Sequence, residues 1–136
     1  MKAGRNAHAA ALCVALVLAL GNPAAMACGY CVEDRIAAVY DHALLQRTLA
    51  SKHQIAFFAW DGPLTRSEAV RLKILALGDA TPGVDRGSTR VSMEPAALAV
   101  AFDPQCSNVQ SVQAALQKTL GSMKLSIVLL QAAKVQ

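Results

Sequence analysis

The stretch ALAVAFDPQCSNVQSVQAALQKTLG, residues 97–121, decides the fold. Its opening alternates large Leu98, Val100 and Phe102 with small Ala97, Ala99 and Ala101. A period of two is that of a strand, and apolar residues on both sides mean burial on both faces, the alanine face lying close to a second layer. Asp103-Pro104 ends the strand. Ser107 and Gln110 then have the spacing of a capping box, in which two side chains satisfy free amides at a helix start. Val109, Val112, Leu116 and Leu120 follow at helical spacing, and Gly121 is a stop.

Working outward, Met123 to Leu130 reads as a closing strand. On the other side, Pro95 suits a turn, and Val84 to Met93 reads as an edge strand with Arg86, Ser88 and Arg90 on one side. Asp79 to Gly83 is turn-rich. Thr65 and Glu68 form a second capping-box spacing, ahead of a helix carrying Ala69, Val70, Leu72, Ile74 and Leu77 and stopping at Gly78. The run Ile55 to Trp60, closed by Asp61-Gly62-Pro63, reads as a strand and turn. From Cys28 to Ser51, Val32, Ile36, Val39, Tyr40, Ala43 and Leu44 recur at three- and four-residue spacing, predicting one helix with Glu33 and Asp34 in its first turn.

The resulting order is helix, then strand, helix, strand, strand, helix, strand. Short right-handed connections fold the last six into an α+β, ferredoxin-like βαββαβ sandwich, preceded by the additional amino-terminal helix. The segment from Leu98 to Gly121 resembles the second half of a heavy-metal-associated domain, the module of copper chaperones and metal-pumping ATPases, and the similarity covers roughly residues 54–130. The resemblance implies a metal carrier with two cysteines in the loop after the first strand. Here that loop is Asp61-Gly62-Pro63-Leu64-Thr65-Arg66-Ser67, which has no thiol.

The amino terminus has the layout of a secretory signal over residues 1–27. Lys2 and Arg5 precede an uncharged apolar run from Ala9 to Leu20, too short for the roughly 20 residues of a membrane-spanning helix. Gly21-Asn22-Pro23 follows, then Ala25-Met26-Ala27, with small residues at the two positions a signal peptidase reads and Cys28 next. Acylation of Cys28 is the rival reading, but Ala25 stands where that signal wants a leucine-like residue. The expected mature chain, residues 28–136, is one periplasmic or secreted domain, its CxxC-bearing helix at 28–51 and its βαββαβ core at 54–130. Of 13 Lys and Arg, Lys2 and Arg5 fall in the signal, and the remaining 11 against 9 acids leave a formal charge of +2. With no basic run interleaved with aromatics and no further long apolar stretch, neither a nucleic acid nor a bilayer is indicated as partner.

Chemistry concentrates in Cys28-Gly29-Tyr30-Cys31. Two thiols separated by two residues at a helix start converge on one soft ion or close a small disulfide, and helix amides there favour thiolate. Thiolates select Cu(I), Zn or Hg over hard cations, so the expected ligands are Cys28 and Cys31, the expected ion Cu(I), with Zn or Hg as alternatives. A metal-handling membrane or periplasmic protein is the partner such a carrier implies. Two other readings stand beside it: a metal-free interaction module with a Cys28–Cys31 staple, and a thiol-disulfide redox protein. A thioredoxin-type site needs a strand leading into the motif, and none precedes it. A helix of about 20 residues spans roughly 30 Å, more than a six-residue strand at about 3.3 Å per residue, so a helix laid back along the first strand carries its cysteines to the loop of Trp60 to Pro63.

Among the other candidates, His42 and His53 are isolated in sequence, Met93 and Met123 read as core fillers, and Trp60 as a core aromatic. Cys106 reads as a core or free thiol at the opposite end of the sheet. No Ser-His-Asp set, carboxylate pair or phosphate loop is present, and the expectation is a binding protein rather than an enzyme.

Overall fold

The structure, a computed structural model, describes residues 31–133; the proposed signal and Cys28 lie outside them. Eight elements follow in order: α1 Val32–Val39, α2 His42–Ala50, β1 Gln54–Asp61, α3 Glu68–Asp79, β2 Arg90–Met93, β3 Ala96–Phe102, α4 Val109–Gly121 and β4 Ser126–Ala133. The strands form one antiparallel sheet in the order β2-β3-β1-β4. That order, with a helix in each of the two crossovers, is the ferredoxin-like arrangement.

The alternation in β1 and β3 divides the interior in two. Ala56, Phe58 and Trp60 of β1 and Leu98, Val100 and Phe102 of β3 face α3 and α4, where Ile74, Val112, Leu116 and Leu120 meet them in the main core. Burying each large side chain contributes about 1.5–3 kcal/mol. Ile55 and Phe57 of β1, with Ala97, Ala99 and Ala101 of β3, face the other way, against Val39 and Leu44. A pair of amino-terminal helices therefore covers the face that a bare βαββαβ sheet leaves open, and all seven residues of β3 are buried. The small alanines let those helices come close.

The structure corrects the single helix expected over 28–51. The described chain forms α1 and α2 with a break at Tyr40 and Asp41, both extended. Asp41 causes it: Oδ1 accepts from the Leu44 amide at 2.9 Å, capping α2, and Oδ2 accepts from Arg90 Nε at 2.7 Å. The cap on α3 is Ser67 rather than Thr65, accepting from the Val70 amide at 3.3 Å, while Glu68 pairs with Arg71. The cap on α4 is Asn108 rather than Ser107, accepting from the Ser111 amide at 2.9 Å.

The expected edge strand over 84–93 shrinks to Arg90–Met93. Residues 84–89 form turns, because the Asp85 amide bonds to the Ala101 carbonyl at 2.8 Å and the Ser88 hydroxyl accepts from the Ala101 amide at 3.0 Å. Ser88 is thus buried instead of lying on an open strand side with Arg86. The closing strand starts three residues later than expected, at Ser126, after a turn in which Lys124 takes a positive φ of 59°.

Candidate functional site

One end of the sheet gathers the end of β1, the start of β3 and the loop 61–67. Gly62 is required in that loop by close approach, since a Cβ would stand 2.6 Å from Leu125 and 2.8 Å from the Lys124 carbonyl. Trp60 is buried, its Nε1–H shared between the Ser92 and Ala97 carbonyls at 3.2 Å each. Arg66 lies over its ring at 5.5 Å and pairs with Glu94 at 3.3 Å. A cleft of about 390 Å³ opens here, lined among others by Arg35, Asp61, Arg66 and Glu94.

The start of α1 is tied to this end. Arg35 Nη1 donates to the Ala96 carbonyl at 2.6 Å, on the first residue of β3. Cys31, the residue before α1, lies one turn earlier, its carbonyl accepting from the Arg35 amide at 3.2 Å. Four residues of helix rise about 6 Å. Cys31 is therefore within one helical turn of a residue lining the cleft, and α1 runs from there along the sheet to Val39, over Ile55 and Phe57.

The Cys31 thiol is exposed and, among the described residues, forms no disulfide. Its environment differs from the thiolate-favouring one expected. The Asp34 backbone amide, the largest influence, pulls its pKa down; the Asp34 carboxylate, desolvation and Glu33 push it up, and the net result lies above the ordinary value. The Asp34 carboxylate accepts from the Cys31 thiol at 3.1 Å and from its backbone N–H at 3.4 Å. Two acids in the first turn, favourable to the helix, thus hold the proton on sulfur. Cys28 lies outside the described residues.

The opposite end assembles a cluster that spacing did not reveal. His53 Nδ1 lies 2.6 Å from Asp85 Oδ2, and its Nε2 lies 4.0 Å from Asp103 Oδ2. The Cys106 thiol donates to the same Asp103 oxygen at 3.3 Å. That bond, with the nearby negative charge, raises the Cys106 pKa. The Asp103 carboxyl is lowered, first by the Gln105 amide and then by the Cys106 thiol. A thiol so held is a poor nucleophile. The partners of His53 stand 32 and 50 positions away in the chain, so only the fold of the 84–89 turns against β3 brings them together. His42 is the exposed first residue of α2, and Met93 and Met123 are half-buried against the main core. Among the described residues, no group of three His, Cys, Asp or Glu side chains is arranged to hold a metal ion.

No family model matches the chain, and no curated protein is similar to it. A solved structure is similar to part of the chain. It is oxidized MerP from Ralstonia metallidurans CH34, at 18% identity and a TM-score of 0.45, the match covering 58% of this chain and 99% of that one. The strand order above assigns the ferredoxin-like fold independently of this likeness. No described helix is long and apolar enough to cross a membrane.

Proposed function

We infer that the protein is an exported carrier of a soft metal ion, Cu(I) foremost and Zn or Hg as alternatives, held by Cys28 and Cys31 and passed to a metal-handling membrane or periplasmic protein. The observation that supports this reading is the Arg35–Ala96 bond, which ties α1, one turn after Cys31, to the sheet end where heavy-metal-associated domains carry their cysteines. The loop there has no thiol of its own, so in this reading the ligands come from the amino-terminal segment. Thiolates suit a soft ion, and two sulfurs suffice for near-linear Cu(I).

The raised Cys31 pKa is compatible with metal capture, in which a soft ion displaces the proton. It is unfavourable to thiol-disulfide catalysis, which depends on a thiolate nucleophile. A Cys28–Cys31 disulfide without metal is the competing state. Titrating the reduced mature protein with Cu(I) against a competing chelator should give one bound ion per chain, lost when Cys28→Ser and Cys31→Ser are combined. Stoichiometric binding that survives the double substitution, or its absence from the native chain, sinks the proposal. Thiol counting after non-reducing isolation identifies the stapled state.

A further inference from the structure

The cleft beside α1 has a charge arrangement that a two-sulfur site does not use. Arg66 and Glu94 are paired at 3.3 Å and cancel. Two charges on its lining remain. Arg35 spends Nη1 on the Ala96 carbonyl and has no carboxylate within 4.0 Å among the described residues, leaving the rest of its fork open. Asp61 is exposed and engages one oxygen with the Gly62 amide at 2.9 Å, leaving the other open. Ala59, Ala96 and Val128 supply apolar lining, and at about 390 Å³ the cleft is of small-molecule size.

One open guanidinium and one open carboxylate on a short apolar lining complement a zwitterion. We propose that the cleft takes the α-amino-acid end of a small thiol compound of the cysteine class, its carboxylate on Arg35 and its ammonium on Asp61. Its sulfur then reaches toward Cys31, one helical turn from Arg35, as a further ligand for the ion. The thiol part rests on the soft-metal reading; the recognition of the amino-acid end does not.

The test separates the two. The mature protein carrying Cys28→Ser and Cys31→Ser is titrated with S-methyl-L-cysteine, a zwitterion with no free thiol, by calorimetry and by the fluorescence of Trp60, the chain's single tryptophan, which lines the cleft. Saturable binding is expected. Arg35→Gln and Asp61→Asn should each weaken it about tenfold, the effect of losing one charge-assisted hydrogen bond. Asp61→Asn keeps an oxygen for the Gly62 amide and guards against a folding defect in the Arg35 variant. An uncharged analogue, acetylated and amidated, should not bind. No saturable response, an affinity unchanged from the parent in both variants, or equal binding of the uncharged analogue overturns the proposal. On Cu(I)-loaded native protein, L-cysteine should bind at least several-fold more tightly than S-methyl-L-cysteine, and equal binding refutes the thiol role. Failure of the copper titration itself falls on the earlier reading alone.

Discussion

Replacing Ala99 by Leu tests the claim that a second helical layer covers the sheet. Ala99 is 1% exposed and lies between Phe57 on β1 and Arg90 on β2, beneath Val39 and Leu44. Three added carbons have nowhere to go unless α1 and α2 lift. Overpacking a filled core costs about 1–3 kcal/mol. For a domain of this size each kcal/mol moves the melting temperature by about 4–8 °C, so the expected loss is about 4–24 °C by circular dichroism. Were the face open to water, the same substitution would fall within about 0.5 kcal/mol of neutral. Leu98→Ala provides the calibration on the other face: Leu98 is fully buried in the main core, and its truncation should cost about 2–5 kcal/mol. Ala99→Leu is also expected to perturb the cleft, because α1 carries Arg35, and Trp60 fluorescence should change with it. An unchanged melting temperature in Ala99→Leu, beside a large loss in Leu98→Ala, would refute the three-layer reasoning.

Thr89 is buried at 1% exposure, and its hydroxyl is the buried side-chain polar atom without a partner among the described residues; Thr89→Val should stabilise the protein by about 1 kcal/mol in urea unfolding, since a methyl replaces an unsatisfied oxygen. Gly78→Ala should destabilise by about 1–3 kcal/mol, because its Cβ would meet Thr89 Cγ2 at 2.6 Å. Cys106 should alkylate more slowly at pH 7 than a free cysteine, and Asp103→Asn should speed the reaction by removing the carboxylate that raises its pKa, as read by mass spectrometry. The Asp41 carboxyl is held below the ordinary carboxylate value, first by the Leu44 amide and then by Arg90. Its contribution is therefore full above that value and is lost as pH falls through the depressed folded pKa, so Asp41→Asn should flatten the acid limb of the urea midpoint against pH.

The sheet and its two crossovers were legible because periodicity reports them directly. The alternation of Leu98, Val100 and Phe102 with Ala97, Ala99 and Ala101 announced two buried faces, and a second layer is found on the alanine side. What periodicity hid was the break between α1 and α2. The apolar pattern runs unbroken through Val39, Tyr40 and Leu44, whereas the break is made by Asp41, whose partner Arg90 lies 49 positions away. Helix caps moved for a local reason: Thr65 and Ser67, or Ser107 and Asn108, are alternative oxygens within two residues, and the position of the helix against the sheet selects one. Ser88 failed as a strand residue because its hydroxyl satisfies the Ala101 backbone, a bond with no signature in the sequence.

The two ends of the sheet differ in how far they could be read. At the β1-exit end, the amino-terminal segment was expected to reach the loop as one helix of about 20 residues; that helix is broken in two, and the eight-residue α1 approaches this end instead, with Arg35 bonded to the Ala96 carbonyl. At the opposite end, His53, Asp85, Asp103 and Cys106 come from three segments, and no spacing rule joins them. The charge on Cys31 was the least legible quantity. Glu33 and Asp34 at a helix start satisfy the dipole, and the same start was expected to favour thiolate. Both effects act on one turn, and their balance depends on where the Asp34 carboxylate points. It points at the sulfur, 3.1 Å away, so the acids that help to start α1 also hold its leading thiol protonated. Under the proposed soft-metal reading an ion binding there displaces that proton, so Cu(I) affinity measured by chelator competition should strengthen as pH rises, and a pH-independent affinity would count against Cys31 as a ligand.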